Sequence, residues 1–147
     1  MTDFSVRSWM TDPPPTIGPK ENLRRARALL RSDNVQELLV VDESKLVGLL
    51  NEHDIWNHCP TGMLMLDEKQ ADELLEQIRV GGVMTLQPPT VTPDTPLREA
   101  IQLFAQSGRH GLPVVENGML VGILTEERAL QVIAAVLGEV ERYTSMK

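Results

Sequence analysis

Two stretches of the chain place polar or charged side chains three positions apart, directly after an apolar run. They are Asn51-Glu-His-Asp54 and Thr125-Glu-Glu-Arg128. At the start of a helix, such a stretch presents free backbone N–H groups, which attract anions. The same spacing also suits a capping box, in which two side chains satisfy amides of the first turn. Spacing alone therefore leaves two interpretations open for Asn51 and Asp54, a structural cap or a contact to a ligand.

The signatures of common catalytic and metal sites are missing from the sequence. It contains no Gly-x-x-x-x-Gly-Lys-Ser/Thr loop, no Gly-x-Gly-x-x-Gly and no His-Glu-x-x-His. The single cysteine, Cys59, excludes a four-thiolate zinc or iron–sulfur site, and its spacing from His53 and His58 fits no recognised metal site. We therefore expect no resident metal, no catalytic residues and no enzymatic activity.

The composition is that of a soluble globular protein, with 41% hydrophobic and 24% charged residues in 147. A net charge of -7 and only 3% aromatic residues argue against nucleic-acid binding, which needs basic surfaces and rings for base stacking. No apolar stretch is long enough to cross a bilayer. The first residues do not have the pattern of a secretion signal, so we expect a cytoplasmic protein without membrane contact.

The chain repeats itself at an offset of 74 residues. Residues 6–55 and 80–129 align without a gap, and 19 of the 50 aligned pairs are identical. The shared pieces include Val-x-x-x-Met-Thr, Leu-Arg-x-Ala and Leu-Val-Gly. Two copies indicate a pseudo-symmetric pair instead of a solenoid, which needs more repeats.

Each repeat has the pattern of a β-α-β-β-α unit. A Thr-Ile or Thr-Val pair shortly before a proline predicts a short extended segment, and apolar residues at helical spacing follow it. Two β-rich runs come next, joined in the second repeat by Asn117-Gly118, a dipeptide preferred in hairpins. A second helix ends the unit. We also predict an acidic helix over 67–78 and a terminal helix from Glu126 that stops at Gly138.

Taken together and twice over, these pieces resemble a tandem pair of cystathionine-β-synthase-type domains, the CBS pair or Bateman module. The resemblance covers roughly residues 4–137 and includes the Leu-Pro-Val-Val run and the Leu-Val-Gly-Ile-Leu-Thr stretch before a helix. It implies an α+β (α/β-type) fold, with two repeats related by pseudo-two-fold symmetry and packed through their sheets. It also implies a regulatory module that binds AMP, ADP, ATP or S-adenosylmethionine in the inter-repeat cleft.

The domain organisation follows from the repeat. We predict a first repeat over 4–57, an inter-repeat segment with the acidic helix over 58–79, a second repeat over 80–137 and a tail over 138–147. The resemblance further implies a homodimer whose output is either an effector protein or its own oligomeric state.

The family's ligand motif, Gly-h-x-Thr/Ser-x-x-Asp (h, apolar), implies roles for the residues that begin the last helix of each repeat. Asp54 matches the aspartate that holds the ribose, and Asn51 stands where the family has threonine or serine. In the second repeat Thr125 matches, but Arg128 replaces the aspartate. Because arginine has no hydrogen-bond acceptor, ribose binding in the family manner is not expected there.

The resemblance also implies a base pocket and a phosphate contact. Thr16 with Ile17 and Thr90 with Val91 would line the adenine pocket, and Arg109 with His110 would reach the phosphates. Each has a structural alternative, since apolar residues before a helix are commonly core and basic residues before a strand are commonly solvated. The basic pair occurs only in the second repeat, which predicts one site built from Asp54 and Arg109 or His110.

A second function class stays open at this point. A CBS pair that has lost its ligand would serve as a dimerising scaffold or interaction protein. Asn51 and Arg128, which depart from the ligand motif, favour this alternative, whereas Asp54 and the Arg109-His110 pair favour ligand binding.

Overall fold

In the computed structural model, the described residues are 4–33, 35–58 and 65–145. Cys59 lies outside them, as does the whole Pro60-Thr-Gly62 stretch, whose proline and glycine predict an interruption of regular structure between the repeats. The last two residues of the predicted tail also lie outside. The strands are β1 (Thr16–Ile17), β2 (Glu37–Asp42), β3 (Lys45–Asn51), β4 (Thr85–Leu86), β5 (Gly111–Glu116) and β6 (Met119–Thr125). The helices are α1 (Leu23–Ser32), α2 (Glu52–Asn57), α3 (Glu68–Leu75), α4 (Leu97–Ser107) and α5 (Glu126–Ser145).

The described residues form two compact units. The first-repeat unit comprises those within 13–88 and 117–120, and the second-repeat unit comprises those within 4–12, 89–116 and 121–145. These limits differ from those of the sequence repeats, because the first residues of the chain belong to the unit that carries the second repeat.

The first-repeat unit is built on β1, β2 and β3. β1 runs parallel to β2, β2 runs antiparallel to β3, and β4 adds to β3 with Leu86 opposite Gly48. Its buried residues come from these strands, the helices α1 to α3, and the turn at Val80–Gly82. The fully buried side chains of this core include Leu23, Leu38, Leu50, Ile55 and Leu75.

The second-repeat unit pairs β5 with the end of β6. Val91 makes a parallel bridge to Val114 of β5, and Thr11 makes an antiparallel bridge to Ile123 of β6. The predicted β-α-β-β-α order is therefore confirmed, although the first extended piece of the second repeat is reduced to a single bridge. The core of this unit contains Val6, Leu97, Leu112, Val114, Leu124 and Val132.

Each unit contains the opening segment of the other repeat. Val6 lies in the core of the second-repeat unit, whereas Val80, which aligns with it, lies in the core of the first-repeat unit. The backbone hydrogen bonds that hold the two segments correspond at the 74-residue offset. They are Val6 N to Thr95 O (3.0 Å), Arg7 N to Pro93 O (2.9 Å), Val80 N to Glu21 O (2.8 Å) and Gly81 N to Pro19 O (2.8 Å).

The repeated glycine of Leu-Val-Gly is explained by this exchange. A Cβ atom on Gly122 would lie 2.7 Å from the carbonyl oxygen of Thr11, and one on Gly48 would lie 2.9 Å from Cγ of Met84 and 3.0 Å from the carbonyl oxygen of Thr85. Real Cβ atoms are almost never as close as 2.7 Å to a backbone oxygen, so position 122 requires glycine, whereas a side chain at position 48 would require the Met84 side chain to move. The Met-Thr pair of each opening segment therefore packs against the other repeat's glycine.

The predicted hairpin of the second repeat is confirmed. Asn117 and Gly118 adopt left-handed φ angles of 55° and 81°, as the hairpin signal predicts, and the first repeat builds its turn with Glu43 and Ser44 at 50° and 70°. The predicted stop at Gly138 is wrong, because α5 continues through it to Ser145, into the segment assigned to the tail. Within the described residues, no helix has the length and apolar character needed to span a membrane.

Candidate functional site

The start of α2 carries the capping box that the spacing of Asn51 and Asp54 allows. Asn51 ends β3 opposite Glu37 of β2 and has an extended backbone. Its side-chain oxygen accepts a hydrogen bond from the Asp54 amide at 2.8 Å, and Asp54 Oδ2 accepts one from the Asn51 amide at 3.1 Å. The structural interpretation of this pair is therefore confirmed.

The capping box leaves part of both side chains unused. Within the described part of the chain, Asp54 Oδ1 and the side-chain nitrogen Nδ2 of Asn51 have no hydrogen-bond partner, and both residues are half-buried. A carboxylate can accept several hydrogen bonds, so capping does not prevent Asp54 from accepting from a hydroxyl group. Asn51 can in turn donate to an anion at the helix start.

The predicted base-pocket residues of the first repeat lie on β1. Thr16 is exposed beside Leu39, and Ile17 is 5% exposed beside Val40, within the hydrophobic core. One strand, β2, separates β1 from β3, so Thr16 lies about 10 Å across the sheet from the strand that ends in Asn51. Because the Ile17 side chain is packed in the core, only the Thr16 side chain and the backbone of β1 are available for contact with a ligand.

The corresponding residues of the second repeat show the same division. Thr90 is exposed, and Val91 is 3% exposed in the core of its unit. The Val91 backbone is fully engaged with β5, since its N–H donates to Pro113 O at 3.0 Å and its carbonyl accepts from Val115 at 2.8 Å. Of this pair, only Thr90 therefore has an exposed side chain.

The start of α5 is capped, but it carries a cation in place of a carboxylate. The Arg128 amide donates to Thr125 Oγ1 at 3.2 Å, which makes Thr125 the cap. The Arg128 guanidinium lies over the Trp9 ring, 5.5 Å from its centroid, and donates from Nε to the Trp9 carbonyl at 3.3 Å. Trp9 was missed by sequence reasoning, although the repeat offers a signal, because Trp9 replaces Val83 just as Arg128 replaces Asp54.

The predicted phosphate contacts lie in the loop between α4 and β5. His110 Nδ1 is 3.2 Å from Glu126 Oε2, and the His110 carbonyl accepts from the Glu126 amide at 2.9 Å. Arg109 is half-buried, and its amide donates to Ser107 Oγ at 3.4 Å. His110 therefore has a carboxylate neighbour that repels an approaching phosphate. Arg109 stays a predicted phosphate contact.

The two units divide the predicted site residues. Thr16, Ile17, Asn51 and Asp54 belong to the first-repeat unit, whereas Thr90, Val91, Arg109, His110 and Thr125 belong to the second-repeat unit. The single site predicted from Asp54 and Arg109 or His110 draws on both units and stays a prediction.

A groove of about 590 Å³ runs beside α1 and α3 in the first-repeat unit. Arg24 there pairs with Glu76, whose hydrogen bond and charge raise the pKa of the guanidinium, and Arg27 approaches Asp72 at 3.7 Å. The lining contains four carboxylates and two cations, so a phosphate is not favoured in it. The residues are Arg24, Glu68, Lys69, Asp72, Glu73 and Glu76.

Comparison with known proteins decides the family. The model of the CBS domain matches residues 6–55, as the repeat does, and residues 80–135, which extend six residues beyond the second copy of the repeat. The chain belongs to the CBS-domain family. Both copies of the domain are present, so the chain carries a CBS pair.

Individual relatives agree with this assignment. The chain is 31% identical over 120 residues to the CBS domain-containing protein YhcV of Bacillus subtilis, covering 82% of this chain and 79% of YhcV. A solved structure of CBSX2 in complex with AMP matches with a TM-score of 0.74 and 25% identity, covering 91% of this chain and 99% of CBSX2. Inosine-5'-monophosphate dehydrogenase of Korarchaeum cryptofilum is 30% identical over 111 residues, which are 75% of this chain and only 20% of that enzyme.

Proposed function

We propose that this CBS pair is a non-catalytic regulatory module that senses an adenosine-containing ligand: AMP, ADP, ATP or S-adenosylmethionine. The ligand binds at the start of α2, where Asp54 accepts hydrogen bonds from the ribose hydroxyls and Asn51 donates to the adjoining phosphate or its equivalent. Thr16 and the β1 backbone contact the base. The ligand changes the output only if it binds two arrangements of the protein with different affinity, and we propose an effector protein or the oligomeric state as that output.

The observation that carries the proposal is the unused half of the capping box. Asp54 Oδ2 accepts a hydrogen bond from the helix start, whereas Oδ1 has no partner among the described residues, and the backbone N–H groups there favour a phosphate. The AMP complex of CBSX2, a protein of the same fold with 25% identity, supports the choice of an adenosine ligand.

A thermal-shift screen with AMP, ADP, ATP and S-adenosylmethionine tests the proposal. A ligand present at 100 times its dissociation constant adds about 2.7 kcal/mol to the free energy of unfolding. In a domain of this size, that gain raises the melting temperature by roughly 8 °C. Guanosine analogues at the same concentration are the control and should give little shift. Failure of all four adenosine ligands to raise the melting temperature would contradict the proposal.

A second candidate function, dimerising scaffold, is favoured by one observation on α5. Its exposed residues include Leu130, Leu137 and Val140, each more than half accessible, and Ile133 completes a series with spacings of three, four and three residues. This spacing is that of a coiled-coil seam, and such a seam can be covered by the same helix of a second copy.

Leu137→Glu tests the scaffold function. A charge in the middle of the seam is expected to convert a dimer to a monomer, measured by light scattering after gel filtration, with a dimer dissociation constant raised about 100-fold. Ala135→Glu, on an exposed position off the seam, is the matched control and should leave the mass unchanged. A wild-type monomer, or equal dissociation in both variants, would count against this role for α5.

A further inference from the structure

Two positions distinguish the helix start of the second repeat from that of the first. At the 74-residue offset, Arg128 replaces Asp54 and Trp9 replaces Val83. Trp9 lies in the opening segment of the first repeat, yet it belongs to the second-repeat unit together with Arg128. The two departures therefore fall in one unit, although 119 residues separate them in the chain.

The contacts of Arg128 show that the two departures belong together. Its guanidinium stacks on the Trp9 ring at 5.5 Å, donates from Nε to the Trp9 carbonyl at 3.3 Å, and donates from Nη1 to Gln131 Oε1 at 3.2 Å. Both Arg128 and Trp9 are half-buried. An arginine held by stacking and by two hydrogen bonds has little freedom to swing away and admit a ligand.

This arrangement opposes a ribose for a chemical reason. Ribose hydroxyls at the proposed first site need an acceptor, which Asp54 Oδ1 supplies. A guanidinium carries only donors, and the Trp9 carbonyl beside it already accepts from Nε. The cap itself survives the change, because Thr125 Oγ1 still accepts from the Arg128 amide at 3.2 Å.

We infer that Arg128 and Trp9 form a clasp that closes the ribose position of the second repeat. Substituting both, as Arg128→Asp with Trp9→Val, would open that position. The inference rests on the proposed function of the first repeat and extends it to the number of sites. The clasp also ties the opening segment to α5. The module is then asymmetric: the first repeat binds the ligand, and the second repeat is held closed by the Arg128–Trp9 contact.

The test is a reciprocal exchange of the two residue pairs, read by calorimetric titration with AMP. Trp9→Val with Arg128→Asp gives the second repeat the residues of the first, and it is expected to raise the number of AMP sites per chain from one to two. Val83→Trp with Asp54→Arg does the reverse and is expected to remove AMP binding. Arg128→Asp alone keeps the indole, and we expect it to bind the second AMP at least tenfold more weakly than the double variant.

The outcomes separate the clasp from the proposed function. One site in the wild type and still one in a folded Trp9→Val/Arg128→Asp variant overturns the clasp and leaves the proposed function intact. No site in the wild type but one in that variant overturns the proposed function and supports the clasp. Absence of binding in both overturns both. If the double variant does not melt cooperatively, Arg128→Asp alone decides, and an unchanged site number in it overturns the clasp.

Discussion

Val6→Asp is expected to destabilise the strands of the second repeat, although Val6 belongs to the first repeat in sequence. Val6 is fully buried in the core of the second-repeat unit, together with Leu97, Leu112 and Leu124. A buried carboxylate without a partner is expensive, and we expect a loss of about 3 kcal/mol or more in the free energy of unfolding of that unit. Hydrogen exchange measured by mass spectrometry should then rise in β5 and in residues 121–125, with a smaller rise in β2.

Val80→Asp is the matched control for this prediction, because Val80 occupies the same place in the other repeat and is equally buried. Val80→Asp should raise hydrogen exchange in β2 and β3 and leave exchange in β5 nearly unchanged. If each substitution instead opens the strands of its own repeat, the exchange of opening segments is wrong.

Asp54→Asn is expected to weaken AMP binding about 100-fold, which corresponds to about 2.7 kcal/mol. The substitution keeps an oxygen that can accept from the Asn51 amide, so the cap is largely retained. What is lost is the charge that strengthens the hydrogen bonds from the ribose hydroxyls. Calorimetric titration with AMP measures the effect, and thermal melting without ligand shows that the fold survives.

Arg128→Gln is the control for Asp54→Asn at the equivalent position of the other repeat. It releases the Trp9 ring without supplying a carboxylate, so AMP affinity should stay within about twofold of the wild type. Equal losses from the two substitutions would contradict the assignment of the ribose contact to Asp54.

Much of the fold could be predicted because its signals are local or repeated. The 74-residue offset exposed both copies, Asn117-Gly118 marked a hairpin, and the polar pair at Asn51 and Asp54 marked a capped helix start. The hairpin and the capped helix start each depend on residues within a few positions of one another. Such residues carry their own conformational preference whatever the rest of the chain does.

The exchange of opening segments could not be predicted from the sequence. The Val-x-x-x-Met-Thr segments are the first residues of their repeats, and each packs against a glycine, Gly48 or Gly122, that occurs at the same place in both repeats. Because the residues around the two glycines are similar, no local pattern predicts which segment packs against which glycine. The helix end predicted at Gly138 was wrong for a different reason. A single glycine destabilises a helix by only about 1 kcal/mol and does not by itself end it, so α5 continues to Ser145.

The candidate site was predicted in part. The spacing indicated the cap at Asp54, but only the geometry shows that Oδ2 is engaged and that Oδ1 has no partner in the described parts of the chain. The replacement of aspartate by Arg128 was visible in the sequence, whereas its partner Trp9 was not, because stacking between residues so far apart depends on the tertiary fold. The core positions of Ile17 and Val91 likewise depend on strand pairing that alternation over two residues cannot specify.

The most direct test of the proposed function is an NMR titration of the isotopically labelled protein with AMP and, separately, with S-adenosylmethionine. At least one of them is expected to shift the amide signals of Thr16, Ile17 and the Asn51–Asp54 turn in a saturable manner. The signals of the Thr125–Arg128 turn should move much less if the proposed clasp of Arg128 and Trp9 closes that position. Unchanged spectra with both ligands, or shifts confined to the Thr125–Arg128 turn, would contradict the assignment of an adenosine site to the first repeat.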